Sequence, residues 1–145
     1  MGGFGSKKSE KLESGIWSDI EEPPVDGWSM WNYVVIFYGT ETHGSHYYFG
    51  GRTTSYSVQL LNSILRLESG SWTWSNVGRM KSARTGHAVI LVGEKFIVVG
   101  GEGNHNNEAC VLINYEFSCT KLSSSLTNYA NSPILFSVAD NYINC

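Results

Sequence analysis

Short apolar runs of four or five residues are the clearest pattern in this chain. Residues 88–92 and 96–99 are rich in β-branched side chains and are separated by Gly93-Glu94-Lys95. Runs of this length and composition predict β-strands, so the pair predicts a hairpin. Because both runs are apolar on both faces, we expect other layers to cover the hairpin above and below.

The pattern occurs earlier in the chain as well, where residues 33–38 and 46–49 are again apolar. Each hairpin is followed by paired glycines, Gly50-Gly51 in the first copy and Gly100-Gly101 in the second. Paired glycines predict a turn with positive φ or the close approach of another segment, because a bulky side chain suits neither. The two pairs are 100 − 50 = 50 positions apart.

Tryptophan-containing segments repeat with nearly the same spacing. Leu12-Glu13-Ser14-Gly15 precedes Trp17 as Leu67-Glu68-Ser69-Gly70 precedes Trp74, with offsets of 55 for the leucines and 57 for the tryptophans. A period near 50 residues, with four strand-like pieces in each copy, is typical of β-propeller blades. The sequence therefore predicts an all-β fold, a partial β-propeller built of four-stranded antiparallel blades.

Composition agrees with an all-β fold and argues against several partners. Charged residues make up 16% of the chain, below the roughly 25% usual in soluble domains, and the net charge is −3. This balance gives no reason to expect nucleic acid, which binds basic surfaces. No apolar run approaches the ~20 residues that span a bilayer, and the N-terminus lacks the apolar core of a secretory signal. With no Asn-x-Ser/Thr acceptor present, these features favour a cytoplasmic location.

One segment carries a family resemblance. Trp74, Met80, Arg84 and His87 precede the apolar hairpin that closes on Gly100-Gly101, and this arrangement resembles the kelch repeat. The resemblance extends over roughly residues 10 to 145, and the motif is complete only in 74–101. The first copy has Pro23, Gly27 and Met30 at the Met, Arg and His positions, and the third has Cys119 in place of Trp and Leu122 in place of Val77.

The repeat predicts how the chain is divided. Residues 1–10 are a tail or the remnant of a preceding blade, 11–26 an outer strand and crossing, 27–77 and 78–128 two kelch-like blades, and 129–145 the inner hairpin of an incomplete blade. The predicted strands are 31–38, 46–49, 56–67 and 71–77 in the first blade, 88–92, 96–99, 109–113 and 117–122 in the second, and 133–138 and 141–144 in the third. Residues 39–45 are expected to form a loop inserted at one rim.

Two features leave alternatives open. About three blades are visible, whereas propellers typically have about 4–8, so we expect a fragment of a longer protein; the alternative is two copies that share blades in one six-bladed ring. At the N-terminus, Gly2 and Ser6 fit a myristoylation pattern followed by lysines. We favour the interpretation that this segment is the remnant of a blade.

No catalytic, metal or cofactor motif is apparent. The cysteines Cys110, Cys119 and Cys145 have no metal-type pair spacing. Cys110 and Cys119 would face each other across a hairpin if its turn lies near Asn114-Tyr115, where a disulfide would imply an oxidising compartment. We prefer two buried thiols. Glu41, His43 and His46 in the predicted loop are interpreted as solvated side chains, so neither a metal nor a cofactor is expected.

The remaining candidate residues divide into structural and contact positions. Trp17 and Trp74 are expected to pack in the core. By the resemblance, Arg84 braces the crossing into the inner strand through hydrogen bonds, and His87 makes a structural hydrogen bond. Kelch relatives that bind peptides use the loops of one propeller face. By this resemblance, we expect the residues that bind a partner to be Arg52, Thr53, Tyr56, Arg79, Lys81, Asn104 and His105.

The resemblance implies a non-catalytic protein–protein interaction module, of the scaffold or substrate-receptor type. Because an arginine fork engages carboxylates in pairs, the partner segment is expected to be acidic. Two alternatives come from other classes. One is a fragment of a kelch-propeller carbohydrate enzyme, and the other is a secreted or surface kelch adhesion protein, which the cysteines suggest.

Overall fold

A computed structural model describes residues 9–24, 30–31, 33–40, 43–53, 58–103 and 106–125 of the 145-residue chain. Within these ranges the chain forms β-strands joined by turns and loops, with no helix, so the all-β prediction is confirmed. The predictions for residues 1–8, for the hairpin 133–144, and for Tyr56, Asn104 and His105 lie outside the described residues.

The strands follow the chain in order. They are β1 Ser9–Glu13, β2 Ile16–Ile20, β3 Met30–Trp31, β4 Val34–Thr40, β5 His43–Phe49, β6 Arg52–Thr53, β7 Ser63–Glu68, β8 Trp74–Arg79, β9 Ala88–Val92, β10 Lys95–Val99, β11 Asn106–Ile113 and β12 Glu116–Ser125. Strands β1 and β2 form one pair, and the short strands β3 and β6 form another.

The other strands form an eight-stranded sheet with the order β4-β5-β7-β8-β12-β11-β10-β9. It consists of two antiparallel meanders: the first is β4-β5-β7-β8 and the second is β9-β10-β11-β12. A parallel bridge between Gly78 and Phe117 joins them at β8 and β12, and their opposite edges, β4 and β9, also touch. The sheet is therefore barrel-like and nearly closed.

Two sequence predictions need correction at the strand level. Residues 11–20 form a hairpin that turns at Ser14-Gly15, not a single outer strand, because both turn residues have positive φ. The predicted loop 39–45 is largely absent, since β4 extends to Thr40 and β5 begins at His43. Gly39 and Gly44 lie opposite each other there. A Cβ atom on Gly39 would lie 2.6 Å from Gly44 Cα, and one on Gly44 would meet the ring of Phe37.

The main core lies between the two meanders. Phe49 of the first and Phe96 and Phe117 of the second have ring centroids between 5.1 and 5.7 Å apart. Tyr47, Ile64, Val77, Met80, Val98, Cys110 and Cys119 complete the buried cluster. Aromatic pairs at these distances add to the stabilisation that burial alone provides.

A second cluster covers the outer face of the first meander. Tyr48, Leu65 and Leu67 are buried there, and Ile20 from the β1–β2 hairpin packs against them with Trp74. The hairpin is also held by a hydrogen bond of 2.8 Å from Trp74 Nε1 to the carbonyl oxygen of Glu21. Burial, and secondarily the charge of Tyr33, raises the pKa of Tyr48 to about 12, so its hydroxyl stays protonated.

Trp17 is not a core residue. Its side chain is 63% exposed, whereas Trp74 at the corresponding repeat position is half-buried. The physical reason is that no described strand covers that side of the β1–β2 hairpin, so a tryptophan there remains open to solvent. The prediction of core packing is wrong for this residue.

Cys110 and Cys119 form a disulfide across the β11–β12 hairpin. The two residues are register partners, and the turn falls at Asn114-Tyr115, both with positive φ. The predicted turn position is confirmed, and the preference for two free thiols is wrong. Directly opposed cysteines were brought together because a two-residue turn at this point sets the register of the strands.

Candidate functional site

Four segments meet at one end of the sheet, which we call the crossing end: residues 50–53, 58–62, 80–87 and 100–103. The segment 80–87 crosses from β8 to β9 and is hydrogen-bonded on both sides. The amide of Gly51 donates to Arg84 O (2.9 Å), and the amide of Arg84 donates to Leu61 O (3.0 Å). The amide of Glu102 donates to Thr85 O (2.8 Å). Backbone bonds in several directions make this a fixed platform rather than a set of independent loops.

The paired glycines allow this close approach. Gly50 and Gly101 both have positive φ, at +54° and +92°. A Cβ atom on Gly50 would lie 2.8 Å from Arg84 O, and one on Gly101 would lie 2.7 Å from Thr85 O. The crossing segment therefore runs between the two glycine pairs, at a distance that side chains would obstruct. This confirms the expectation of positive φ and close chain approach.

Arg84 is the central buried charge of the crossing end. Its side chain is 0% exposed and forms an ion pair of 2.7 Å with Glu108 Oε1, itself 0% exposed. The guanidinium also donates to Gly100 O at 2.9 Å and to Asn106 O at 2.8 Å. The second carboxylate oxygen of Glu108 accepts a hydrogen bond of 2.6 Å from the amide of Lys81. Burial of both charges is tolerable because each is paired and hydrogen-bonded.

His87 lies between the two glycine pairs. Its Cβ would be 2.9 Å from a Cβ atom on Gly101, and its Cε1 would be 3.1 Å from one on Gly50. Burial, and secondarily the nearby Arg84 guanidinium, lowers the pKa of His87 to about 4, although the backbone of Phe49 favours the charged form slightly. The backbone of Phe49 offers the ring a hydrogen-bonding group, but neither ring nitrogen reaches it or another described group with full hydrogen-bond geometry, so the structural hydrogen bond expected for His87 stays a prediction. His87 fills space as a neutral imidazole.

The predicted contact residues differ in accessibility. Arg79, at the end of β8, and Lys81, at the start of the crossing segment, are exposed, and Arg52 in β6 is half-buried. Thr53 is only 1% exposed. Its backbone amide is bonded to Gln59 O, and its strand pairs with β3. Its inclusion among the exposed contact residues is therefore wrong.

Met80 anchors the crossing segment in the core. Its side chain is 1% exposed and belongs to the cluster between the meanders. Its amide donates to Asn62 O at 2.7 Å, and Asn62 Nδ2 returns a hydrogen bond to Met80 O at 3.1 Å. The alternation of exposed Arg79, buried Met80 and exposed Lys81 fixes which side chains point to solvent.

Glu108 is the residue that sequence reasoning missed. The signal in the sequence was that Glu108 is the single acidic residue of the strand Asn106–Ile113, two positions before Cys110. Its partner in the structure is the buried Arg84. One carboxylate oxygen of Glu108 and the sulfurs of Cys110 and Cys119 lie within 4.8 Å of one another. The two sulfurs are bonded to each other, and both carboxylate oxygens already accept hydrogen bonds. With these bonds in place, Glu108, Cys110 and Cys119 have a structural role.

Comparison with known proteins adds no identification. No protein-family model matches the chain, and no curated protein has a significantly similar sequence. No helix among the described residues is long and apolar enough to cross a membrane.

Proposed function

We propose that this chain is part of a kelch-type propeller and acts as a non-catalytic protein-interaction module through its crossing end. The observation that carries the proposal is the convergence of four chain segments at one end, fixed by mutual backbone hydrogen bonds. A surface fixed in this way binds with little loss of conformational entropy, which favours recognition.

Three features support a blade-like architecture in particular. Each meander has four antiparallel strands connected in order, and the two pack face to face around one core. Equivalent glycine pairs follow the second strand of each meander. The crossing from the last strand of one meander to the first strand of the next is the connection that stacks repeated units.

The chemistry of the exposed residues favours an acidic partner segment. Arg79 and Lys81 project from the crossing end, and Arg52 lies half-buried in the adjoining β6. An arginine fork binds a carboxylate through paired charge-assisted hydrogen bonds, and a lysine adds a point charge. The buried pair of Arg84 and Glu108 lies beneath these residues and cannot itself reach a partner.

A binding experiment with a defined probe tests this proposal. A fluorescein-labelled peptide of alternating glutamate and glycine should bind the protein, and its anisotropy should fall as salt is added. Lys81→Glu should weaken binding about tenfold, because an attraction becomes a repulsion. Lys95→Glu is the matched control, since this exposed lysine begins β10 at the opposite end of the sheet. Equal losses in the two variants, or no binding to wild type, would refute the proposal.

The disulfide supports a second candidate, an interaction protein of the same kind that works outside the cell or on its surface. Structural disulfides persist in oxidising compartments and are rare in the cytosol. The chain has three cysteines, of which Cys110 and Cys119 are joined. Thiol titration of unreduced, denatured protein should therefore find one thiol, and three would exclude this candidate.

A further inference from the structure

Three side chains that offer metal ligands meet beneath the crossing end. Glu108 and Cys110 lie two positions apart in β11 and so share one face of that strand, and Cys119 of β12 is the register partner of Cys110. One carboxylate oxygen and the two sulfurs lie within 4.8 Å of one another. The residues are 0%, 0% and 3% exposed, in the same order. The hairpin therefore brings three ligand atoms together at a place that solvent does not reach.

The charges around these atoms are balanced while the disulfide is intact. Glu108 is negative, the guanidinium of Arg84 beside it is positive, and the bonded sulfurs carry no charge. If the sulfurs were present as two thiolates, which is the form of cysteine that binds metals, the group would gain two negative charges. A divalent cation would cancel them. Because a buried charge is tolerated only when it is paired or bound to a metal, the dithiolate form of this group favours a divalent cation.

The contacts of Glu108 suit a metal ligand. Its Oε1 accepts a hydrogen bond of 2.7 Å from Arg84, and its Oε2 accepts one of 2.6 Å from the amide of Lys81. Each carboxylate oxygen has a further lone pair, so it can bind a cation and keep its hydrogen bond. Ligating carboxylates are commonly held in place by outer hydrogen bonds of this kind.

The donor set selects the class of metal. Two thiolates and one carboxylate are ligands of zinc, which binds sulfur at about 2.3 Å and oxygen at about 2.0–2.2 Å in a tetrahedral arrangement. The ligand atoms of such a site lie roughly 3.3–3.8 Å from one another, within the 4.8 Å that encloses the three atoms here. Three protein ligands leave the fourth position to a water molecule.

We infer that Cys110, Cys119 and Glu108 bind a zinc ion when the disulfide is reduced. A dithiol reductant supplies two electrons and two protons, the S–S bond breaks to give two thiols, and the reductant becomes a cyclic disulfide. Zinc then replaces the two thiol protons, which pass to solvent, and two Zn–S bonds form. The disulfide belongs to an oxidising compartment and the zinc form to a reducing one, so one site serves the protein in either.

Zinc binding to the full-length protein tests this inference. Protein treated with a dithiol, and freed of it without air, should bind one equivalent of Zn²⁺ in competition with a chromophoric chelator. Thiol titration of a denatured sample first confirms that all three cysteines are reduced. Unreduced protein should bind Zn²⁺ at least about a hundredfold more weakly, because both sulfur ligands are bonded to each other.

Variants identify the ligands. Cys119→Ser should weaken zinc binding by the reduced protein at least about a hundredfold, and Glu108→Gln should weaken it about tenfold or more. Cys145→Ser is the matched control, since Cys145 is the one cysteine outside this group, and it should bind zinc as wild type does. Zinc should also raise the urea midpoint of reduced wild type, whereas binding to cysteines of the unfolded chain would lower it.

Three results would overturn the inference: equal zinc affinity of reduced and unreduced protein, equal losses in the two serine variants, or a urea midpoint that zinc does not raise. These measurements contain no acidic peptide and use a buried group that cannot reach a partner. Their failure would therefore leave the proposed function to its own test, and loss of peptide binding would leave the zinc result intact.

Discussion

Replacing Arg84 with methionine would test whether the crossing end depends on its buried ion pair. Methionine keeps most of the side-chain length and removes the charge. The change deletes three hydrogen bonds, to Gly100 O, Asn106 O and Glu108 Oε1, at 2.9, 2.8 and 2.7 Å. Glu108 would keep only the amide of Lys81 as a partner in a site with 0% exposure.

The expected loss of stability is large. Removing one partner from a buried ion pair costs about 3–5 kcal/mol, because the remaining charge is left without compensation. The two carbonyl acceptors would each lose a hydrogen bond worth roughly 1 kcal/mol, although small backbone shifts would recover part of this. We expect the free energy of unfolding to fall by about 4 kcal/mol, a large fraction of the roughly 5–15 kcal/mol typical of a domain.

Urea unfolding followed by tryptophan fluorescence measures the change. Arg66→Met is the control, because Arg66 lies 3.5 Å from Glu68 in a partly exposed pair, with side chains 19% and 48% exposed. Such pairs contribute about 0–1 kcal/mol. The double variant Arg84→Met/Glu108→Leu should regain part of the loss, because it leaves no unpaired charge. If Arg84→Met and Arg66→Met are equally stable, the reasoning is refuted.

Three further predictions concern the same region. Because the pKa of His87 is lowered from 6.5 to about 4, the unfolded state binds a proton first as pH falls. Stability should decrease by about 3 kcal/mol between pH 6.5 and pH 4, and His87→Gln should remove this part of the pH profile. Gly101→Ala should lower the free energy of unfolding in urea by roughly 3 kcal/mol. Gly93→Ala is the control and should cost roughly 1 kcal/mol, because Gly93 also has positive φ but an added Cβ would have no neighbour within 4 Å. Equal costs would contradict the close-approach argument. Replacing both Cys110 and Cys119 with alanine should lower stability by about 3 kcal/mol, and an unchanged urea midpoint would show that the disulfide is dispensable.

The apolar runs were sufficient to locate the central strands. Residues 88–92 and 96–99 were predicted as a hairpin, and the structure has Ala88–Val92 and Lys95–Val99. Here local composition, turn chemistry and burial all favour the same state, which is when sequence patterns are most informative. The paired glycines were equally readable, because the ability to adopt positive φ without steric cost is a property of glycine itself.

Other features depend on contacts that no local pattern contains. Trp17 and Trp74 occupy equivalent sequence positions and differ in exposure only because different neighbours cover them. Glu108 could not be paired with Arg84 from the sequence, since 24 positions separate them and charge alone does not identify a partner. The disulfide depended on the register of β11 and β12, because a turn displaced by one residue in either direction would have given Cys110 and Cys119 different partners.

Arg84 connects the two meanders, one through its backbone and the other through its side chain. Its backbone is bonded to Gly51 and Leu61, next to strands of the first meander, and its side chain to Gly100, Asn106 and Glu108, in or beside strands of the second. A hydrophobic residue here could add as much stability, but it could not fix the orientation of the crossing segment against both meanders at once. Because Lys81 lies in that segment and Arg79 directly precedes it, their positions depend on the same bonds. Arg84→Met should therefore weaken binding of the acidic probe even under conditions where the variant remains folded, whereas Arg66→Met should not.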